Sequence, residues 1–215
     1  MSEENGVIYR ISGPVVTAVG ISPRMYEVVR VGDEGLMGEV IELHGEQSVI
    51  QVYEETSGVR PGEPVIRTGQ TLSVQLGPGL LTKIYDGIQR PLPELEKTMG
   101  VFIKRGVDAD GLDLEKIWDF NATAKAGDSV SSGDVLGTVQ ETKTIEHRVM
   151  VPPGTSGVIN SINSGKFNVT ENVCTLEDGT EIQMMQKWPV RTPRPFTKKH
   201  APEVPLQTGQ RILDF

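Results

Sequence analysis

The stretch Gly77-Pro78-Gly79-Leu80-Leu81-Thr82-Lys83 has the residue types of a loop that cradles phosphate, with glycines leading to a lysine. Such a loop needs converging backbone N–H groups, a lysine that reaches the phosphates and a hydroxyl that holds magnesium. Here the lysine follows Thr82 rather than glycine and precedes Ile84 rather than a hydroxyl, so a structural turn is expected. His44, His147 and His200 form no i,i+4 pair and have no cysteine nearby, so exposed or turn histidines are expected rather than metal ligands. Glu54-Glu55 and Glu94/Glu96 could serve as acid–base pairs, but they fall at a turn and at a helix start, where solvated carboxylates are routine. Cys174 is the only cysteine and alternates with Val173 and Thr175. It can make neither an internal disulfide nor a thiolate metal site and reads as a buried thiol in a reducing cytoplasm. Lys198-Lys199-His200 reads as a wet linker among prolines. Asn121-Ala122-Thr123 and Asn168-Val169-Thr170 fit the glycosylation pattern without a leader peptide to give it meaning. No catalytic, cofactor-binding or metal residue is assigned.

The elements that would position these residues are mostly strands. With 24 Gly and 14 Pro in 215 residues, and aromatics at only 5%, the composition suits short strands joined by tight turns better than a helical bundle. The net charge of −8 argues against nucleic acid, whose partners cluster Lys and Arg. Met1 to Gly6 lacks the basic and apolar regions of a signal peptide. No apolar run approaches the roughly 20 residues that cross a bilayer, so any role at a membrane is expected to run through partners.

Residues 1–76 read as a β-barrel. Apolar runs at Val7–Ile11, Val15–Val19, Tyr26–Val31, Leu36–Leu43, Val49–Tyr53, Pro64–Ile66 and Leu72–Val74 alternate with turns such as Ser12-Gly13-Pro14 and Arg60-Pro61-Gly62-Glu63. Closure into a barrel removes the sheet edges that such strands would otherwise expose. Residues 77–111 form a connector with the one helical signal: Leu92, Leu95, Met99 and Phe102 fall on one face, Pro93 suits the first turn and Gly100 can stop it. Residues 112–187 form a second β-rich unit, opened by the near-repeats Gly127-Asp128-Ser129-Val130 and Gly133-Asp134-Val135-Leu136. Gly takes positive φ cheaply and Asp bonds its own backbone, so these pairs predict turns. Its expected strands are Val135–Val139, Arg148–Val151, Gly157–Ile162, Phe167–Val169, Cys174–Leu176 and Thr180–Met184. Residues 188–215 are proline-rich from Trp188 to Leu206 and read as an extended return segment.

Gly77-Pro78-Gly79-Leu80-Leu81-Thr82-Lys83-Ile84-Tyr85-Asp86-Gly87-Ile88-Gln89-Arg90-Pro91-Leu92 is similar to the catalytic A subunits of archaeal A-type and vacuolar V-type rotary ATPases. So are Gly6-Val7-Ile8-Tyr9-Arg10-Ile11-Ser12-Gly13-Pro14, Trp188-Pro189-Val190-Arg191-Thr192-Pro193-Arg194-Pro195, and Pro205-Leu206-Gln207-Thr208-Gly209-Gln210-Arg211-Ile212-Leu213-Asp214. Long matches in order are far more specific than any short motif.

The resemblance implies a mainly β fold, with a six-stranded-type barrel, a barrel-sandwich-like inserted bulge domain and a short helical piece of an incomplete nucleotide-binding domain. It implies alternating A and B subunits in a hexameric ring held by a crown of barrels, central and peripheral stalk partners, and a seat on the cytoplasmic face of the membrane. ATP turnover coupled to H+ or Na+ movement would belong to the whole subunit. Mg-ATP or Mg-ADP would bind at a G-x-x-x-x-G-K-[ST] loop expected beyond Phe215, so this stretch alone is expected to be inactive and to hold no cofactor.

The second β unit also resembles biotinyl and lipoyl carriers, through Ala126-Gly127-Asp128-Ser129-Val130, Glu141-Thr142-Lys143-Thr144 and Gly157-Val158-Ile159. A carrier would use Lys143, but Thr142 and Thr144 depart from the methionines of biotin carriers and the Asp-Lys-Ala of lipoyl carriers. The expectation is shared architecture without the modification. A stand-alone barrel adaptor is the remaining alternative.

Overall fold

The computed structural model describes residues 5–100, 104–196, 198–210 and 212. The expectations for Phe102 on the helix face, the N-terminal Met1 to Glu4 and the terminal Leu213-Asp214-Phe215 lie outside the described residues. Strands β1 (Gly6–Ser12), β2 (Val15–Val19), β3 (Glu27–Val31), β4 (Leu36–His44), β5 (Gln47–Val52) and β6 (Pro64–Thr71) close into a barrel in the order β1-β2-β5-β4-β3-β6. Alternation decides which way the side chains face: Val16, Ala18, Ile50, Val52, Leu36 and Val40 point inward and are buried. Closure leaves no room for a side chain at Gly38, where a Cβ would come within 2.6 Å of Ile50. Register shifts in β1, β6 and β4 mark the bulges that let short strands curve around so small a core.

The run after the barrel, β7 (Ser73–Leu76), is not part of it. It pairs antiparallel with β16 (Gln186–Pro189), which straddles the expected boundary at 187/188 between the second β unit and the extended return segment. Local pattern alone could show that Leu72–Val74 is a strand but not where its partner lies. Helix α1 (Leu92–Met99) follows, with Pro in its first turn and Gly100 at its C-cap with φ 76°. Leu95 is buried, and Leu92 and Met99 beside it are half-buried.

The remaining strands are β8 (Trp118–Ala122), β9 (Ser129–Val130), β10 (Val135–Gln140), β11 (Glu146–Met150), β12 (Gly157–Ile162), β13 (Gly165–Phe167), β14 (Asn172–Leu176) and β15 (Glu181–Gln183). They form two four-stranded sheets, β11-β10-β8-β13 and β15-β14-β12-β9. The near-repeats build the same turn twice. Asp128 accepts from the Lys125 amide at 2.8 Å and Asp134 from the Ser131 amide at 2.7 Å. Gly127 donates to the Ile159 carbonyl of β12, the partner of β9, and Gly133 to the Val151 carbonyl just after β11, the partner of β10, so each turn is tied to the sheet that its next strand enters. This domain has its own core, including Trp118, Phe120, Leu136, Val139, Ile159 and Leu176, separate from that of the barrel.

Candidate functional site

The residues picked out for possible chemistry are scattered. Lys143 is exposed at the tip of the β10–β11 hairpin, where the likeness to carrier domains places it. His44 pairs in solvent with Glu42 at 2.8 Å, and His200 is exposed. Among the described residues no three metal-ligating side chains come together. Cys174 is buried, and burial pushes its thiol up, away from nucleophilic character. Glu94 pairs with Lys97 at 2.9 Å in solvent.

Two expectations fail. His147 is neither exposed nor in a turn: it lies in β11, half-buried, with Nδ1 3.6 Å from Glu141 Oε2. Glu54 is not a solvated carboxylate: its side chain is 9% exposed and accepts from Arg90 Nη1 and from the Gly106 amide, both at 2.6 Å. A turn position says nothing about the segment that later packs over it.

What the fold does assemble is a set of joints between the barrel and the chain that follows. In the first, Arg90 is 10% exposed and lies between Glu54 and Asp86, with its Nε 2.7 Å from Asp86 and Nη1 2.7 Å from the Val107 carbonyl. Burial pushes the Asp86 carboxyl up, but the Arg90 amide and guanidinium and the Ile88 amide more than reverse this and leave it below the usual range. Segment 104–108 grips the barrel beside this pair. Arg105 bonds Glu34 and the carbonyls of Glu55 and Ser57, and Arg30 pairs with Asp108.

In the second joint Arg191, just after β16, reaches back 152 residues to Glu39 of β4 with bonds of 2.9 and 2.6 Å. Tyr53 donates to the same carboxylate at 2.9 Å, and the guanidinium stacks 4.3 Å from the Tyr26 ring. Arg191 holds Glu39, 2% exposed, below the usual carboxylate range, while burial and then Glu39 push Tyr53 up to about 12. Tyr26 has φ 64°, a conformation costly for a side chain this large, and its place under Arg191 accounts for its persistence.

The third joint is built from side-chain amides. Gln89, also at positive φ, accepts from the Gln75 amide at 2.6 Å and donates to the Gln75 carbonyl at 2.7 Å, standing in for a strand beside β7. Gln75 in turn holds Asp110 and the Leu112 amide, at the entrance to the second domain.

Two family models match these two cores: the ATP synthase alpha/beta family β-barrel domain over residues 8–69, and the ATPsynthase alpha/beta subunit barrel-sandwich domain over residues 109–191. The chain belongs to this family. The second match ends at Arg191, the residue that closes back onto the barrel.

The chain is similar to the A subunit of the A-type ATP synthase of Methanosarcina barkeri, at 62% identity over 99% of this chain and 37% of the relative. With the corresponding A subunit of Methanoculleus marisnigri it shares 63% over 97% of the chain and 36% of the relative, and with that of Natronomonas pharaonis 58% over 98% and 36%. It therefore spans little more than a third of the length of the curated relatives it matches.

The joints were the part sequence reasoning missed. Asp86 to Arg90 and Arg191 lay inside the stretches that carried the resemblance, but of their partners Glu54 stood at a turn that read as solvated and Glu39 lay within strand β4. A buried glutamate within an apolar strand, such as Glu39 between Gly38 and Val40, was the one available signal.

Proposed function

We propose that this chain is the N-terminal, non-catalytic stretch of the catalytic A subunit of a rotary A-type ATP synthase. The observation that carries the reading is 57–63% identity along nearly the whole chain to the N-terminal regions of such subunits. In this reading residues 1–76 carry the crown barrel, whose last strand ends at Thr71, 77–111 are the connector, 112–187 the inserted bulge and 188–215 the return to the nucleotide domain. The barrel joins alternating A and B subunits into a hexameric ring. The bulge offers its outer surface to the peripheral stalk, and the whole subunit works with the central stalk to couple Mg-ATP turnover to H+ or Na+ movement. The complex sits on the cytoplasmic face of the membrane and meets lipid only through other subunits. Among the described residues no helix is long and apolar enough to cross a membrane.

No residue of this stretch touches the reacting phosphates in this reading. Its part in turnover is to hold the nucleotide domain in register with the ring, which is the work that buried, doubly satisfied joints such as Glu54–Arg90–Asp86 suit. An exposed apolar strip on the barrel supports the crown role: Val7 and Tyr9 on β1 are 43% and 61% exposed, and Ile66 on the adjoining β6 is 37% exposed.

The test is assembly of the full-length subunit with its B partner, read by native mass spectrometry. Tyr9→Glu with Ile66→Glu is expected to abolish the hexamer and its ATPase while leaving the melting temperature of the isolated subunit unchanged. A full-occupancy hexamer from the double variant overturns the crown role. ATP turnover above background by the 215-residue chain alone overturns the non-catalytic assignment.

A further inference from the structure

The turn that resembled a phosphate loop does bind an anion, and the anion comes from the protein itself. Glu141, the first residue after β10, has a side chain only 5% exposed. Its Oε1 accepts from the amides of Gly79 at 2.7 Å and Leu81 at 3.1 Å, across 62 and 60 residues of chain. Its Oε2 faces His147 Nδ1 at 3.6 Å. Two backbone N–H groups converging on one carboxylate oxygen make a nest, the geometry by which backbone dipoles hold anions without a lysine or arginine.

The turn is shaped for this approach. Gly79 has φ +108°, and a Cβ there would lie 3.2 Å from the Trp118 ring. A Cβ at Gly77 would meet Leu112 at 3.0 Å and the Met184 carbonyl at 3.2 Å. A side chain at either position would crowd the second domain, and at Gly79 it would also be strained by the positive φ. Thr82, one residue past the nest, has φ 66°, a left-handed conformation uncommon for a threonine. Leu80 packs on the domain's core.

The Glu141 end is equally ordered. The Glu141 and Thr142 amides both donate to the Ile145 carbonyl, at 3.1 and 3.2 Å, which fixes the hairpin tip from which the carboxylate projects.

We propose that the Gly77–Leu81 turn is a receptor for a carboxylate, that its ligand is the Glu141 side chain, and that this contact is the latch seating the β10–β11 hairpin on the connector. The Leu80, Leu112 and Trp118 contacts around the turn are apolar and have little directional preference. The carboxylate adds direction, because one of its oxygens meets both amides. Lys143 is thus displayed two residues from an anchored side chain.

The test is hydrogen exchange by mass spectrometry on the full-length subunit, following peptides that span residues 77–83 and 140–147. Glu141→Ala is expected to speed exchange in both peptides by on the order of tenfold, the loss of a charge-assisted bond pair. Added sodium formate, a carboxylate small enough to enter the vacated site, is expected to restore protection, while sodium chloride at the same ionic strength is not. If Glu141→Ala does not fold, Glu141→Gln decides. It keeps an acceptor of the same shape without the charge, and is expected to exchange several-fold faster than the parent in the same two peptides. Parent-like exchange in either variant, or equal effects of formate and chloride on Glu141→Ala, overturns the latch. Ring assembly is not part of the readout, so failure here leaves the rotary-synthase reading standing.

Discussion

Removing the Arg90 guanidinium would leave the Glu54 and Asp86 carboxylates without their counter-charge and the Val107 carbonyl without a donor, in a place where water has little access. Stripping one partner from a buried pair costs more than the pair contributes, because the remaining charge stays desolvated. Arg90→Ala is therefore expected to destabilise the chain by about 3–5 kcal/mol, and Arg90→Lys, which cannot reach two carboxylates and a carbonyl at once, to recover little of it. Urea denaturation of both variants checks this.

The titrating residues give two separate pH windows. Burial holds the His147 imidazole below its usual value in spite of Glu141, so the unfolded chain binds more protons than the folded one as pH falls through about 6.5, and stability declines there. Glu39, Glu27 and Asp86 lie below the usual carboxylate range, so their contribution is present above about pH 4.5 and is lost as pH falls further. His147→Gln is expected to flatten the melting-temperature curve between about pH 7 and 5.5 and leave the acid limb below about pH 4.5 in place. At this scale residue types were legible and partners were not. Cys174 reads as buried from its neighbours alone, whereas Glu54 reads as solvated because its lid arrives from residues 90 and 106.

Strands β2 and β12 coincide with the runs Val15–Val19 and Gly157–Ile162, and α1 stops at the glycine expected to stop it, because alternation, turn residues and caps are local signals. Strand β8 carried only part of that signal: Trp118-Asp119-Phe120-Asn121-Ala122 alternates, but no glycine turn directly precedes it. The pairing of β7 with β16 was invisible for a different reason, since register between strands so far apart leaves no trace in either one.

Within β10, Gly137 lies where a Cβ would come within 2.5 Å of both the Phe120 ring and the Asn121 carbonyl. Gly137→Ala is accordingly expected to force β8 and β10 apart at a cost of about 1–3 kcal/mol. Scanning calorimetry and Trp118 fluorescence should show the loss in the second domain. A barrel transition that moves equally would mean that the two cores unfold as one.

The two cores and the long return of Arg191 also set a temporal order. All six barrel strands have been made once Thr71 is synthesised, yet Glu39 waits for a guanidinium 152 positions from it. Throughout that interval a nascent barrel encloses a carboxylate with Tyr53 as its side-chain donor, so the barrel is at its weakest while the second domain is still being made. A chain ended at Val190 should thus melt below one ended at Pro195, and Glu39→Gln should raise the first and lower the second. Vectorial synthesis makes Arg191 a completion signal: the first-made domain reaches full stability only when the ribosome has delivered everything inserted behind it.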